Sequence, residues 1–370
     1  MYVPGWLLAR AGIIAAYGAG APPDTPADTI IDATHLTLLP GLVDVHVHGA
    51  NGSDTMDASI DALHTMAQFY ARHGVTAFLA TTWTDSQDRI TAALTAVKKY
   101  MAVPPTPKGA TLLGVHLEGP YINRDKGGAQ NLELIRRADR DEVLIWLELG
   151  IIRLISLAPE FPENHWLIRE CIKRGITVSI AHTNATYQQA RQAFDMGINH
   201  ATHTYNAMTG LHHRDPGVLG AVLTTPTVRG ELIADNIHVH PAAIKLLWEV
   251  KRPHQVILIS DAIRAAGKPD GDYPVDNRTV FVRDGVARLA DGTLAGSTLT
   301  LNRGVYNFMQ ATGEPLVNVW QTASLNPAQA LHVAHRKGSL EIGKDADMIL
   351  VDDRIQVHKT IIGGEVVFSI

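Results

Sequence analysis

Short runs of β-branched and aliphatic residues recur about every 30 residues from Leu42 onward with helical patterns between them, and few folds produce that rhythm. Strands are predicted over 42–47, 76–80, 112–117, 152–157, 177–181, 200–202, 231–234 and 256–260, which makes eight. Amphipathic helices are predicted over 59–73, 86–100, 140–149, 165–174, 185–196 and 241–250. Pro241 suits a helix start, and Gly74, Gly175 and Gly197 fall where helices should stop. The fold class is therefore α/β, specifically a (β/α)8 TIM-like barrel. Such barrels carry their chemistry at the C-terminal ends of the strands.

The 370 residues allow one large core with a smaller satellite. Before Pro40 and after Ser339 the texture changes to short strands and turns, so residues 1–39 with 340–370 are expected to build a small β-sandwich domain around the barrel at 40–339. A β-hairpin insertion is expected near 273–294, with turns at Asp284-Gly285 and Asp291-Gly292. The formal charge of −5 comes from interspersed acids and bases, and no basic stripe of the kind nucleic acid requires is present. Well-placed Arg or His side chains could still bind a phosphorylated small molecule. The single cysteine, Cys171, cannot form an intrachain disulfide and is expected to be a buried thiol in a reducing compartment. With no export signal and no apolar run approaching about 18 residues, a cytoplasmic protein without membrane anchoring is expected.

Several polar residues stand out against the apolar strands. In Gly41-Leu-Val-Asp-Val-His-Val-His-Gly, strict alternation would turn Val43, Val45 and Val47 toward the helices and Asp44, His46 and His48 to the opposite face. Two imidazoles at i and i+2 near a strand end can chelate one ion, although a bare His-x-His is common without a metal. Glu118, His182, His203 and Asp261 each follow another apolar run. Any one of them alone reads as a cap or a loop residue. Five strand ends that all offer a ligand or a base are not explained by capping, and together they point to a metal site. A divalent ion held by a carboxylate and two imidazoles acidifies water and polarises a carbonyl. Amide hydrolysis needs both effects, plus a base that moves the water's proton to the leaving nitrogen; Asp261 is the candidate.

In these residues the chain resembles the amidohydrolase superfamily and, within it, the N-acetylglucosamine-6-phosphate deacetylase family. The resemblance runs through nearly the whole chain and is carried by the string just quoted together with His116-Leu-Glu-Gly-Pro-Tyr-Ile-Asn, Lys126-Gly-Gly-Ala-Gln, Ala181-His-Thr-Asn-Ala, Thr202-His-Thr-Tyr-Asn-Ala-Met, Ile233-Ala-Asp-Asn-Ile-His-Val, Ser260-Asp-Ala, Ala295-Gly-Ser-Thr-Leu-Thr and Lys337-Gly-Ser-Leu-Glu-Ile-Gly-Lys-Asp-Ala-Asp. The resemblance implies that Glu118, His182 and His203 hold the principal metal, that Asp261 is general base and acid, and that Gln130 helps polarise the acetyl carbonyl. It implies that Asn206, Ala207 and His238 contact the sugar phosphate, and that Arg214 pairs with the phosphate from the neighbouring subunit of a homodimer. With His46 and His48 both present, one or two ions per subunit can be held, and zinc, iron, cobalt and manganese all suit the ligands. Members of the family usually carry an opening strand or two ahead of the position of Gly5-Trp6-Leu7-Leu8, and from residues 1–11 the small domain is expected to be reduced.

Three rivals remain. A cyclic-amidase or dihydroorotase-like enzyme would normally carry a carboxylated Lys after the fourth strand, where this chain has Ala158-Pro159-Glu160. The galactosamine-6-phosphate epimer is a closer alternative substrate. A non-catalytic sugar-phosphate binder would be expected to lose at least one of Glu118, His182, His203 or Asp261. His116 reads as a neighbour of the ligands, Trp83 as packing or a sugar-facing wall, and His64, His73, His165, His254, His332 and His358 as surface groups.

Overall fold

The computed structural model describes residues 4–103, 109–251 and 253–370; residues 1–3 of the expected small domain lie outside the described residues. Eight parallel strands form one sheet in sequence order: Leu42–Val47, Val75–Thr81, Thr111–Glu118, Ile152–Leu157, Thr177–Ile180, His200–Ala201, Arg229–Ile233 and Val256–Ile259. Where the first and last strands meet, Val47 bridges Ala262, the Asp261 N–H donates to the His46 carbonyl, and the Asp44 carboxylate accepts from the Ser260 N–H. These bonds close the sheet into a barrel.

Helices return the chain between strands, and their ends are chemically marked. Ser59 caps Ile60–Arg72 through the Ala62 N–H, and Thr186 with Gln189 forms a capping box on Tyr187–Asp195. Gly74, Gly175 and Gly197 take left-handed backbone angles at the stops, as expected. Helix Gly217–Thr224 was not predicted from the sequence; six of its eight residues are buried, so it lacks the polar face that periodicity detects.

The barrel interior is layered. Leu154 and Ser156 share a face because they are two apart on one strand, as do Glu231 and Ile233 on another. Val43 and Val45 pack with Leu154, Ile233, Leu79 and Ile259 in one buried cluster, so they point inward; Val47 belongs to the outer cluster. This corrects the strict alternation expected for the first strand. A register shift between Asp44 and Val47 breaks the pleat, which lets Val43 and Val45 build the apolar layer while His46 and His48 still point into the barrel above it. Asp44 is left at the strand seam, where burial lifts its carboxyl to about 7. At the N-terminal mouth Ala330 and Leu331 complete the apolar layer, and Asn326 donates to the carbonyls of Pro253 and Val256.

Both chain ends build antiparallel structure beside the barrel. Glu365–Ser369, Val357–Ile362, Met348–Val351 and Thr37–Pro40 form a four-stranded sheet, and Gly5–Arg10 pairs with Ile13–Ala19. Ile14, Ala346, Met348 and Ile361 form their shared core. The Lys337 ammonium is buried between Asp345 and Asp347, so the Gly-Lys-Asp-Ala-Asp string ties this sheet to the chain leaving the barrel. In the expected insertion, Gly271–Val275, Arg278–Arg283 and Val286–Arg288 form three antiparallel strands. Arg278 donates from it to the Gln130 carbonyl, which brings the insertion to the C-terminal mouth. Among the described residues no helix is long and apolar enough to cross a membrane.

Four histidines expected at the surface, His64, His73, His165 and His358, are partly buried. His165 Nε2 lies 2.9 Å from the Pro159 carbonyl, and His73 packs on Phe69 at 4.6 Å. Burial pushes the His73 imidazole down to about 4. Below pH 6.5 the unfolded chain protonates this group while the folded chain resists until about 4, so its contribution to stability is lost as pH falls through that window. His73→Asn should reduce the dependence of unfolding free energy on pH between about 4.5 and 6.5 by up to about 1.4 kcal/mol per pH unit. Urea melts at a series of pH values measure this, and an unchanged slope would contradict it.

Candidate metal centre

The C-terminal mouth gathers residues from the first, third, fifth, sixth and eighth strands. His182, His203 and Asp261 each lie just past a strand end in the left-handed region, at φ of 42°, 27° and 51°. Non-glycine residues pay about 1–3 kcal/mol for such angles, and the cost recurs at sites where side-chain direction matters. Here each kink turns the side chain in over the barrel. Glu118 ends its strand beside Gly119, where an added Cβ would lie 2.1 Å from Thr84 Oγ1.

Glu118 is the centre of the arrangement. Its Oε1 lies 3.2 Å from both His182 Nε2 and His203 Nε2 and 3.5 Å from His46 Nε2, while Oε2 lies 3.2 Å from His48 Nε2. Asp261 Oδ1 stands 3.4 Å from the Nε2 atoms of both His46 and His48. Two sets follow, His46 with His48 and Glu118, and Glu118 with His182 and His203, each with one donor atom per residue within 4.8 Å of the others. Glu118 belongs to both. All six residues are buried, with Asp261 the most open at 7%.

These donors fit a divalent cation. His182 Nδ1 lies 2.7 Å from the Lys126 carbonyl, which can only accept, so Nδ1 carries the proton and Nε2 presents a lone pair to the centre. The Nε2 atoms of His182 and His203 face each other at 3.1 Å, and His46 Nε2 is buried without a hydrogen-bond partner. Electrostatics point the same way. Burial pushes the His48 imidazole down, but Asp261 and Glu118 outweigh it and lift it to about 9. Burial acts to raise Glu118, and His46, His182 and His203 hold it well below the usual carboxylate range instead. Burial likewise acts against ionised Asp261, and His46 and His48 reverse it. The carboxylates therefore demand positive charge, and an ion between them supplies it without protonating the imidazoles.

The other expected residues divide. Gln130 accepts the Thr84 N–H at Oε1 and donates from Nε2 to Glu118 Oε2 at 2.8 Å, so its amide has one orientation, N–H groups toward the centre. A cavity of about 340 Å³ above Glu118 is lined by Gln130, Asn206, Ala207, His238 and Asp261, with Trp83 and His48 at one wall. Trp83 stacks on the His48 ring at 3.9 Å, and the Asp235 carboxylate holds His238 at 2.6 Å. Arg214 is not brought to this cavity. It lies on an exposed loop, 2.8 Å from His213. His116 is not in either donor set; its Nε2 meets Ser156 Oγ at 2.7 Å, and burial pushes it down to about 3, which keeps it neutral. Glu160, at the position a bridging lysine would mark, binds Asn123, Thr183 and the Asn184 N–H instead.

Sequence reasoning missed Glu231 and His200. Glu231 reaches His46 Nδ1 at 3.1 Å and His200 Nε2 at 2.9 Å, all three fully buried. The available signal was a carboxylate inside the apolar run Glu231-Leu-Ile-Ala, where a charge needs a partner.

The sequence pattern of the Amidohydrolase family matches residues 37–367. The chain belongs to the amidohydrolase family. Among this amidohydrolase's relatives, the N-acetylglucosamine-6-phosphate deacetylase of Bacillus subtilis is 40% identical over 346 residues, covering 93% of this chain and 86% of that one. The N-acetylgalactosamine-6-phosphate deacetylase of Escherichia coli O157:H7 is also 40% identical, over 331 residues, covering 89% and 87%. A solved N-acetyl-D-glucosamine-6-phosphate deacetylase from Mycobacterium smegmatis, an aspartate-to-alanine mutant in complex with N-acetyl-D-glucosamine-6-phosphate, superposes with a TM-score of 0.92 at 31% identity, covering 99% of this chain and 95% of that one.

Because Glu118 belongs to both donor sets, Glu118→Gln should remove most bound metal from either. Elemental analysis after gel filtration should find less than about a tenth of the wild-type content with circular dichroism preserved; a full complement would contradict the shared role.

Proposed function

We propose that this amidohydrolase hydrolyses the N-acetyl group of N-acetyl-D-glucosamine 6-phosphate, giving D-glucosamine 6-phosphate and acetate. The observation that carries the reading is the Asp261 carboxylate, at the mouth of a cavity floored by Glu118, His182 and His203, in a chain 40% identical over 93% of its length to a deacetylase of that name. In this reading Glu118, His182 and His203 hold the principal divalent cation and His46 and His48, with Glu118 between, a second. Such a cation, zinc, iron, cobalt or manganese, supplies Lewis acidity that polarises an amide carbonyl and acidifies water.

The chain's own groups do the rest. Asp261 is ionised at neutral pH, so it can take a proton from the attacking water and return it to the amide nitrogen as the C–N bond breaks. The fixed Gln130 N–H group is aimed where the carbonyl oxygen gains charge. Asn206, the Ala207 backbone and His238 line the space for the sugar, and Trp83 closes the side over His48. Arg214 reaches the 6-phosphate of the neighbouring subunit's site in a homodimer, which accounts for its exposure in the single chain. The buried, unpaired Cys171 and the amino-sugar phosphate fit a cytoplasmic enzyme of amino-sugar catabolism or cell-wall recycling. The second reading, the galacto epimer as substrate, is favoured by one observation, the equal identity to the Escherichia coli enzyme.

Acetate release should be measured with the gluco substrate, its galacto epimer and the unphosphorylated sugar. The gluco phosphate should turn over fastest, and preference for the epimer would move the assignment to the second reading. Asp261→Asn should lower kcat by about 10²- to 10⁴-fold with metal content unchanged. Arg214→Ala should raise KM for the phosphorylated sugar about 10- to 100-fold, as loss of a charge-assisted bond does, and leave the unphosphorylated sugar unaffected. Loss on both sugars alike would contradict the phosphate role.

A further inference from the structure

We propose that Glu231 is a positioning residue: it fixes the His46 ring for the ion shared by His46, His48 and Glu118, and braces that half of the centre against the half that contains His203. The inference rests on the reading of His46 as a ligand.

Glu231 stands on the seventh barrel strand and is completely buried. Its Oε2 lies 3.1 Å from His46 Nδ1 and accepts the His203 backbone N–H at 3.3 Å, and its Oε1 lies 2.9 Å from His200 Nε2. Among the described residues its ion-pair partners are His46 and His200, with no lysine or arginine. An ionised carboxylate costs several kcal/mol to bury, and a barrel interior that needed only packing would hold an apolar residue here, as Ile233 does on the same face.

The geometry decides which imidazole nitrogen is free. Oε2 accepts the His203 backbone N–H and Oε1 meets His200 Nε2, so both carboxylate oxygens serve as acceptors. A carboxylate without a proton can only accept, so His46 Nδ1 carries the hydrogen and Nε2 is left with its lone pair. That Nε2 is the buried atom without a partner, 3.5 Å from Glu118 and 3.4 Å from Asp261. His116 lies edge-on to the His46 ring at 4.5 Å and limits its tilt. Rotation and tautomer of His46 are thus set from behind the ion, by a group that touches neither ion nor substrate. His203 receives only a backbone contact from Glu231, so its half of the centre should depend on Glu231 less.

Metal-free wild type and Glu231→Gln should be titrated with cobalt(II), following heat and the visible absorption of the bound ion, with thermal melts of the metal-free proteins as fold controls. Wild type should bind two ions. Glu231→Gln should bind one at near wild-type affinity and the second about 10- to 100-fold more weakly, the usual cost of losing a group behind a ligand, with an altered cobalt spectrum. The double variant Glu231→Gln with His46→Gln should be no worse than His46→Gln alone, because both remove one half-site. If Glu231→Gln does not fold, Glu231→Asp, which withdraws the carboxylate from His46, should show the same selective loss. Two ions bound at wild-type affinity by either variant, or losses that add in the double variant, would overturn the inference while leaving the metal centre intact. Wild type that takes up no cobalt would instead sink the reading of the site, and this inference with it.

Discussion

A single buried carboxylate organises the functional end of this protein. Glu118 sits at 1% exposure among four imidazoles, and no lysine or arginine pairs with it among the described residues. Burying an ionised carboxylate is affordable only when opposite charge or strong donors surround it. The imidazoles can meet that demand by taking up protons or by sharing a cation. Their arrangement favours the cation: His182 is fixed in the tautomer that presents Nε2, and two Nε2 atoms face each other at 3.1 Å. Gln130, fixed by the Thr84 N–H, covers the remaining side.

The barrel supports this centre in layers. Val43, Val45, Leu79, Leu154, Ile233 and Ile259 fill the lower interior with hydrocarbon. Above them lies a polar layer in which Ser156 links His116 to Thr202, Ser179 bonds Thr202, and Glu231 bonds His200 and His46. The left-handed kinks at His182, His203 and Asp261 then aim three side chains inward. Strain of this kind persists only where the surroundings over-determine it; at the seam the Asp261 N–H donates to the His46 carbonyl and the Asp261 carbonyl accepts from the Ser297 N–H. Layer by layer, packing is converted into direction.

Much of this was legible in the sequence for a simple reason. Eight apolar runs with polar residues at their ends are what a parallel barrel with a site at one mouth requires, and Glu118, His182, His203 and Asp261, each ambiguous alone, could be read as a set from their shared position after the strands. What could not be read depended on departures from regularity or on contacts distant in the chain. The register shift in Leu42–Val47 turns Val43 and Val45 inward, and no alternation rule anticipates a bulge. Helix Gly217–Thr224 is too uniformly apolar to show a period. Glu231 gains its meaning from His46, 185 residues away. Arg214 is exposed in the single chain, and its expected phosphate contact involves a second copy that one chain cannot display.

The central claim is spatial: a cation lies between Glu118, His182 and His203. Crystals grown after reconstitution with zinc, with data collected on both sides of the zinc absorption edge, test it most directly. The account predicts an anomalous peak within about 2.0–2.2 Å of a Glu118 carboxylate oxygen and of Nε2 on both His182 and His203. Reconstituted crystals with no anomalous signal at that point, or with these three side chains turned away from a common centre, would contradict it.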